Sequence, residues 1–482
     1  MKLSFVLFVL LSCTLCLAPS GANPGNGIVA PSQGENGKGN GPPEFLSDDD
    51  LPPGLSDNPS ETVGVRFKAD KKPKAQKLPA PGKKGTTIRG LDNQPIHLDL
   101  DKAETVNMFH PDRYTPSEDG ASVTDNETGE VIPLAVYYIH DEKKGNDILF
   151  SMGVNNFPIH VIVSPKGKSE GNIDDIRGNI QNFQLLEGTD ILVGYTDEDL
   201  DMEDVPSDVE PSEPDKEEWI PPLDAGEEGG RRTEEIEAFI DVMESYGAKP
   251  DNASHLRRAQ ATWSRTAYGR TCNRWDYLDV NIVTDAAFKS KFGTNYKNVA
   301  QMIFAVAQKI YWEDACIYLY MWRFENTAGN SAWRYGGTGT HIDWYLSQSY
   351  YDSSGCGSNF GHIDLLRAFC KKNFDSTYRD LWHMITSRPW SKDGAAGCGF
   401  INVCKNKDYG YGVERTWTTN VDIIGKHLAH EVGHNLGLGH LSQRTGYWVM
   451  EQGGFKATSG FWTSNADVIR NKVVESSSCG WY

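Results

Sequence analysis

Between residue 23 and residue 258 there is no cysteine, and beyond residue 250 there is one proline, Pro389. Of 13 tryptophans, only Trp219 comes before residue 259. After the first 22 residues no stretch approaches the roughly 18 consecutive apolar residues of a membrane-crossing helix. Hydrophobic residues make up 38% and charged residues 23%, which excludes collagen-like, wholly disordered and multi-spanning membrane proteins. These uneven absences divide the 482 residues into two unlike parts. Residues 259–482 hold 23 Lys+Arg against 19 Asp+Glu, and residues 1–258 carry a net charge of -23. An acidic, proline-rich front precedes an aromatic-rich, mildly basic back.

Residues 1–22 have Lys2, an apolar run over Leu3–Leu17, and small residues at Ser20-Gly21-Ala22. That pattern reads as a secretory signal peptide cut after Ala22, so the mature protein is expected to be secreted, extracellular and soluble, without a membrane anchor. Seven cysteines then remain, Cys272, Cys316, Cys356, Cys370, Cys398, Cys404 and Cys479. In a secreted chain they predict three disulfides and one odd thiol, with the connectivity open. Asn126-Glu127-Thr128 and Asn252-Ala253-Ser254 make Asn126 and Asn252 candidate glycosylation sites.

Residues 23–88 are rich in Gly, Pro, Asn and Lys and are expected to be disordered, since they have little apolar surface to offset the entropy of ordering. Residues 89–196 alternate short apolar runs, such as Ile159–Val163 and Ile191–Tyr195, with turn residues, and predict a β-rich pro-domain. Residues 197–258 read as an acidic linker and activation region. Positions 197–228 carry 15 Asp or Glu against Lys216 alone, and Thr233–Tyr246 has helical spacing between the dibasic pairs Arg231-Arg232 and Arg257-Arg258. Residues 259–482 are expected to form one globular domain. Here strand patterns at Tyr277–Val283, Ala315–Arg323, Leu381–Ser387 and Gly399–Val403 alternate with helical patterns at Asn295–Ile310 and Ile363–Phe369. The fold class expected is α/β (α+β), a mixed, mostly parallel sheet covered by helices.

The chemistry is concentrated in His427-Leu428-Ala429-His430-Glu431-Val432-Gly433-His434-Asn435-Leu436-Gly437-Leu438-Gly439-His440. His430 and His434, four apart, share one helix face and are spaced to grip one Zn²⁺ ion. Gly437 can take the left-handed conformation that ends the helix and returns His440 to the same ion. Three imidazoles leave an open coordination position, the mark of a catalytic site. Glu431, beside the first ligand, is placed to act as a base on water. Leu428, Val432 and Leu436 form a stripe that anchors the helix, and His427 is read as a surface histidine or one that backs the residues around the metal.

His430–His440 fits HExxHxxGxxH, and Met450 follows ten residues later in Tyr447-Trp448-Val449-Met450. In this the chain resembles the metzincin metalloproteases, and within them the reprolysin/ADAM (adamalysin) group, whose usual wording includes His434-Asn435-Leu436-Gly437. Tyr277–Asp285 resembles the group's first strand, and Cys398–Cys404 its cleft-edge strand with the cysteine that follows. The wording departs at Leu441, where Asp is usual, and in the front part, which has no cysteine to silence a metal.

The resemblance implies a metzincin-like catalytic domain with a long active-site helix. It implies Zn²⁺ on His430, His434 and His440, Glu431 as general base, and Met450 in a turn beneath the metal. It implies a substrate strand along Gly399, Phe400 and Ile401, with Tyr447 and Trp448 walling a pocket, and disulfides Cys398–Cys404 and Cys370–Cys479. Together these features predict a secreted zinc endopeptidase made as a proenzyme. It would act on protein or peptide substrates, need no nucleic acid, and be a monomer once the pro-region is removed. The competing reading is a catalytically inactive metzincin-fold binding protein. Latency is open between a carboxylate of the acidic run on the metal and steric blocking by the pro-domain.

Overall fold

The alternation at Tyr277–Val283 becomes a nine-residue strand, Asp276–Thr284. Its Leu278, Val280, Ile282 and Val283 are all fully buried. It is the second strand of a five-stranded sheet ordered Ile317–Asn326, Asp276–Thr284, Leu381–Thr386, Tyr411–Arg415, Gly397–Gly399. The first four strands run parallel, and the short edge strand Gly397–Gly399 runs antiparallel to them. All six residues of Leu381–Thr386 are buried, as expected of a central strand covered on both faces. The sheet matches the mixed, mostly parallel α/β expectation. The computed structural model describes residues 42–202 (except 81, 83, 154 and 166–178), 266–267, 270–271, 276–347, 361–374, 381–390, 396–401, 410–441, 448–451, 460–461 and 463–474. The dibasic pairs, Thr233–Tyr246, Asn252 and most of the acidic run lie outside the described residues.

Two helices build the core beneath the site. Tyr296–Ala315 runs five residues beyond the expected end and stops where Cys316 turns left-handed. Its Val299, Ile303 and Val306 pack in the same cluster as Leu428, Val432 and Leu436 of the second helix, Val421–Asn435. That active-site helix is buried at every residue, which accounts for its weak amphipathic contrast. Asn420 caps it, its Oδ1 accepting from the backbone N–H groups of Asp422 and Ile423. Among the described residues no helix is long and apolar enough to cross a membrane.

The front part is largely antiparallel β structure. Its main sheet has seven strands, ordered Lys74–Lys77, Ile191–Thr196, Gln181–Leu185, Pro158–Pro165, Asn146–Met152, Val136–Asp141, Glu104–Thr105. One expectation is corrected here. Residues 23–88 were expected to be disordered, yet from residue 42 the chain forms helices Pro53–Asp57 and Pro59–Val63 and strands Lys74–Lys77 and Gly85–Arg89. Its few apolar side chains are well placed: Leu55, Val63, Val65 and Phe67 are all buried, in one cluster with Tyr195, Leu200 and Ile423 of the active-site helix. A composition average does not register that the covering surface comes from elsewhere in the chain.

Front and back share one core. Val106, Met108, Phe109 and Tyr114 belong to the same buried cluster as Met321, Phe324 and the active-site helix. Met321 N–H donates to the Met108 carbonyl at 2.6 Å and His110 N–H to the Met321 carbonyl at 3.0 Å, so the front chain pairs with the outer edge of the catalytic sheet. The His110 ring is buried among Tyr277, Tyr320 and Trp322. At the other end Thr419 Oγ1 donates to the Val63 carbonyl at 2.5 Å. Lys426 of the active-site helix pairs with Asp422 and, at 3.5 Å, with Asp197, the first residue of the acidic run.

The cysteines correct a second expectation. Cys316 and Cys398 are disulfide-bonded, while Cys404, Cys479, Cys272 and Cys356 lie outside the described residues. Cys370 is a free, buried thiol, which overturns the Cys370–Cys479 pairing. It faces inward from helix His362–Phe374 into a cluster with Phe369, Trp333 and Tyr345, where a bridge to the end of the chain would have to displace packed aromatics. Burial pushes its pKa well above the ordinary thiol value. Alkylation of the native protein is therefore expected to spare Cys370, with labelling only after unfolding. Labelling of the native protein at the rate of an exposed thiol would contradict this placement. Asn126 is exposed and so sterically open to glycosylation.

Candidate metal centre

The active-site helix ends at Asn435, and Gly437 takes φ 89°, the left-handed turn expected of it. Gly437 N–H then donates to the His434 carbonyl at 2.8 Å and Leu438 N–H to the Gly433 carbonyl at 3.1 Å, and the chain doubles back with His440. His440 Nε2 comes to 3.2 Å from His430 Nε2 and 3.1 Å from His434 Nε2. The three histidines offer ligand atoms that all lie within 4.8 Å of one another.

Their orientation is set from behind. His430 Nδ1 lies 2.5 Å from the Val449 carbonyl and His434 Nδ1 2.7 Å from the Leu438 carbonyl. A carbonyl only accepts, so both Nδ1 atoms carry hydrogen and both Nε2 atoms turn lone pairs toward His440. Converging imidazole nitrogens, with the rings of His430 and His434 each held by a backbone carbonyl on the far side, are the donor set that suits Zn²⁺. Met450 is fully buried, and a Cβ on Gly433 would come 2.6 Å from its Sδ, which places the methionine directly under the helix turn bearing His430 and His434.

Glu431 is fully buried, with Oε1 2.9 Å from His427 Nε2. His427 is 1% exposed and lies against the proposed base, which agrees with the second of its two expected places, behind the residues around the metal, and not with the surface. The signal for it was present: the i, i+4 rule that pairs His430 with His434 also pairs His427 with Glu431.

The edge strand is flush with the helix. A Cβ on Gly399 would fall 2.7 Å from the Glu431 carbonyl oxygen and 3.3 Å from its Oε2, and one on Gly397 would overlap the His427 ring. Glycine at alternate positions therefore gives the strand a bare face on which the helix rests. Gly399→Ala is expected to destabilise by about 1–3 kcal/mol through overpacking, read as a lower unfolding midpoint. An unchanged midpoint would mean that the strand can back away.

The expected edge Gly399–Val403 is observed as Gly397–Gly399, and residues 402–409 lie outside the described residues. Phe400 turns inward. Its ring is 6% exposed, its N–H donates to the Tyr411 carbonyl at 3.1 Å, and its carbonyl accepts from Asn435 Nδ2 at 2.7 Å. By the alternation of an antiparallel edge, the backbone groups of Gly397 and Gly399 point away from the sheet. Ile401 is partly exposed, Trp448 lies two residues before Met450 in the turn closed by Glu451 N–H, and Tyr447 lies outside the described residues.

No curated protein matches the chain. Among solved structures it is similar to one titled "Structure of a chaperone-substrate complex", at 15% identity and a TM-score of 0.26, over 42% of this chain and 36% of that one. A likeness so slight, to a chain of which about a third is spanned, carries no argument. Residues 299–441 match the family described as "Metallo-peptidase family M12B Reprolysin-like", a match that contains the active-site helix, most of Tyr296–Ala315, all three histidines and Glu431. With the sheet and the histidine cluster, that match identifies a reprolysin-like metzincin catalytic domain around residues 299–441.

Proposed function

We propose that the protein is a secreted zinc endopeptidase, made as a proenzyme, that hydrolyses peptide bonds of extracellular proteins. The observation that carries this reading is the convergence of His430, His434 and His440 Nε2, with the buried carboxylate of Glu431 one residue along the helix from the first of them. When bound, Zn²⁺ supplies Lewis acidity that polarises a carbonyl and makes a water easier to deprotonate. His430 and His434 are held for it by Val449 and Leu438, and His440 arrives on the Gly437 turn. Glu431 is the next residue along the helix and supplies no nitrogen to the cluster. Its carboxylate takes a proton from the attacking water and passes it to the departing amine nitrogen, while His427 at Oε1 limits how far the carboxylate can swing.

An extended peptide is the substrate class that suits the edge strand, where Gly399 lies opposite Gly412 in a position that turns its backbone groups away from the sheet. Zinc removal is the direct test. Chelation is expected to reduce peptide hydrolysis to background, and Zn²⁺ added in slight excess to restore it. Hydrolysis that persists in a preparation shown to be free of zinc would overturn the reading.

A further inference from the structure

A second row of buried polar side chains crosses the sheet beneath the active-site helix: Glu414, His383 and Asn435, each 0% exposed. His383 stands on the central strand and Glu414 on its neighbour Tyr411–Arg415, where the register sets His383 beside Gly412. A Cβ on Gly412 would fall 2.5 Å from His383 Nδ1, so only glycine lets the ring cross this strand and reach the helix. His383 Nδ1 lies 2.5 Å from Glu414 Oε1, and its Nε2 2.9 Å from Asn435 Oδ1. Asn435 Nδ2 donates to the carbonyls of Phe400 at 2.7 Å and Tyr411 at 3.1 Å.

Hydrogen counting fixes the protons. Two carbonyls accept from Asn435, so its nitrogen faces them and its oxygen faces His383. That oxygen only accepts, so His383 Nε2 carries a hydrogen. The Nδ1–Glu414 contact needs one further proton, carried on one atom or the other. The pair is therefore neutral as a unit, which lets two ionisable groups sit in the core without an uncompensated charge.

We propose that Glu414, His383 and Asn435 are positioning residues for the substrate edge, locking the Phe400 carbonyl to the residue that follows His434. The edge strand is then held in fixed register with Glu431, and a peptide paired with Gly399 arrives at a set distance from the base. The proposal rests on the endopeptidase reading, and none of the three residues touches the reacting atoms.

The test uses the full chain loaded with zinc and three variants, Asn435→Ala, Glu414→Ala and Glu414→Gln. For an extended peptide substrate, both alanine variants are expected to raise KM at least about tenfold, the lower end for leaving buried acceptors unpaired. Zinc content and kcat should change little. Glu414→Gln should stay near the unaltered chain, because a glutamine amide can donate to Nδ1 of the neutral ring. A purely structural role would lower the unfolding midpoint and leave KM of the surviving enzyme unchanged, and that outcome overturns the proposal. If Glu414→Ala does not fold, Asn435→Ala decides, since it leaves the His383–Glu414 pair in place. Amide hydrogen exchange at residues 397–400 supplies a readout independent of hydrolysis. It should quicken in Asn435→Ala and not in Glu414→Gln, and unchanged exchange overturns the relay. Failure of the unaltered, zinc-loaded chain to hydrolyse peptides would instead overturn the endopeptidase reading, and the exchange result alone would then judge the relay.

Discussion

Glu431→Ala is expected to lower peptide hydrolysis at least about 10²-fold, the smaller end for removal of a general base, while one zinc per chain remains bound. The two halves of this expectation have separate structural grounds. Among the described residues the candidate ligand nitrogens belong to His430, His434 and His440, and the first two are oriented by Val449 and Leu438 carbonyls that the substitution does not touch. Metal content should therefore survive. Activity should not, because the proposed acid–base group is this fully buried carboxylate, one residue along the helix from His430. His427 loses the Oε1 contact in this variant, so its fold should be checked by the unfolding midpoint before the rates are compared. Near-full activity would remove Glu431 from the mechanism. Loss of zinc together with activity would make it a support for the ligands and not the base.

The histidine cluster was legible because its geometry is local. Three ligands, the base and the turning glycine fall within eleven consecutive residues, and helix periodicity with one left-handed glycine fixes their directions. Two of the four parallel strands were legible for a similar reason: Tyr277–Val283 and Leu381–Ser387 differ from the observed strands by no more than one residue at either end, whereas Ala315–Arg323 is observed as Ile317–Asn326 and Tyr411–Arg415 was not anticipated. What escaped is long-range. His383 and Glu414 are 31 residues apart, and Asn435 is 52 from His383, so their meeting depends on strand register that no local pattern encodes. Residues 42–88 were misjudged because ordering depends on where a few apolar side chains land, and Leu55, Val63 and Phe67 land against a helix more than 350 positions away. Cys370 followed the family's usual pairing rather than its own helix, whose inward face it occupies.

Cutting the chain at Arg231-Arg232 or Arg257-Arg258 is expected to leave the front part attached to the catalytic part under native conditions. Met108, Phe109 and Tyr114 are each no more than 1% exposed, within the cluster that holds Met321 and Phe324. Burying three such side chains is worth roughly 5–9 kcal/mol, comparable with the whole stability of an ordinary domain. Backbone pairing of Met108 and His110 with Met321, the ion pair of Glu127 with Arg323 at 3.1 Å, and Thr419 on the Val63 carbonyl add further points of attachment. None of these contacts depends on the segment that would be cut. Separation would uncover the outer strand Ile317–Asn326 and the Tyr277–Tyr320–Trp322 cage around His110, leaving an apolar face beside an unpaired sheet edge. The cut protein should elute as one species at the mass of both pieces and unfold in one cooperative transition. Residues 259–482 produced alone should aggregate or unfold without cooperativity. Two separate peaks on native gel filtration would contradict the shared core, and a cooperatively folded, fully active 259–482 fragment would show that the front part is dispensable. On this expectation the cut chain is a two-chain particle, in which cleavage relieves a tether and the β-rich part stays packed against the outer strand Ile317–Asn326.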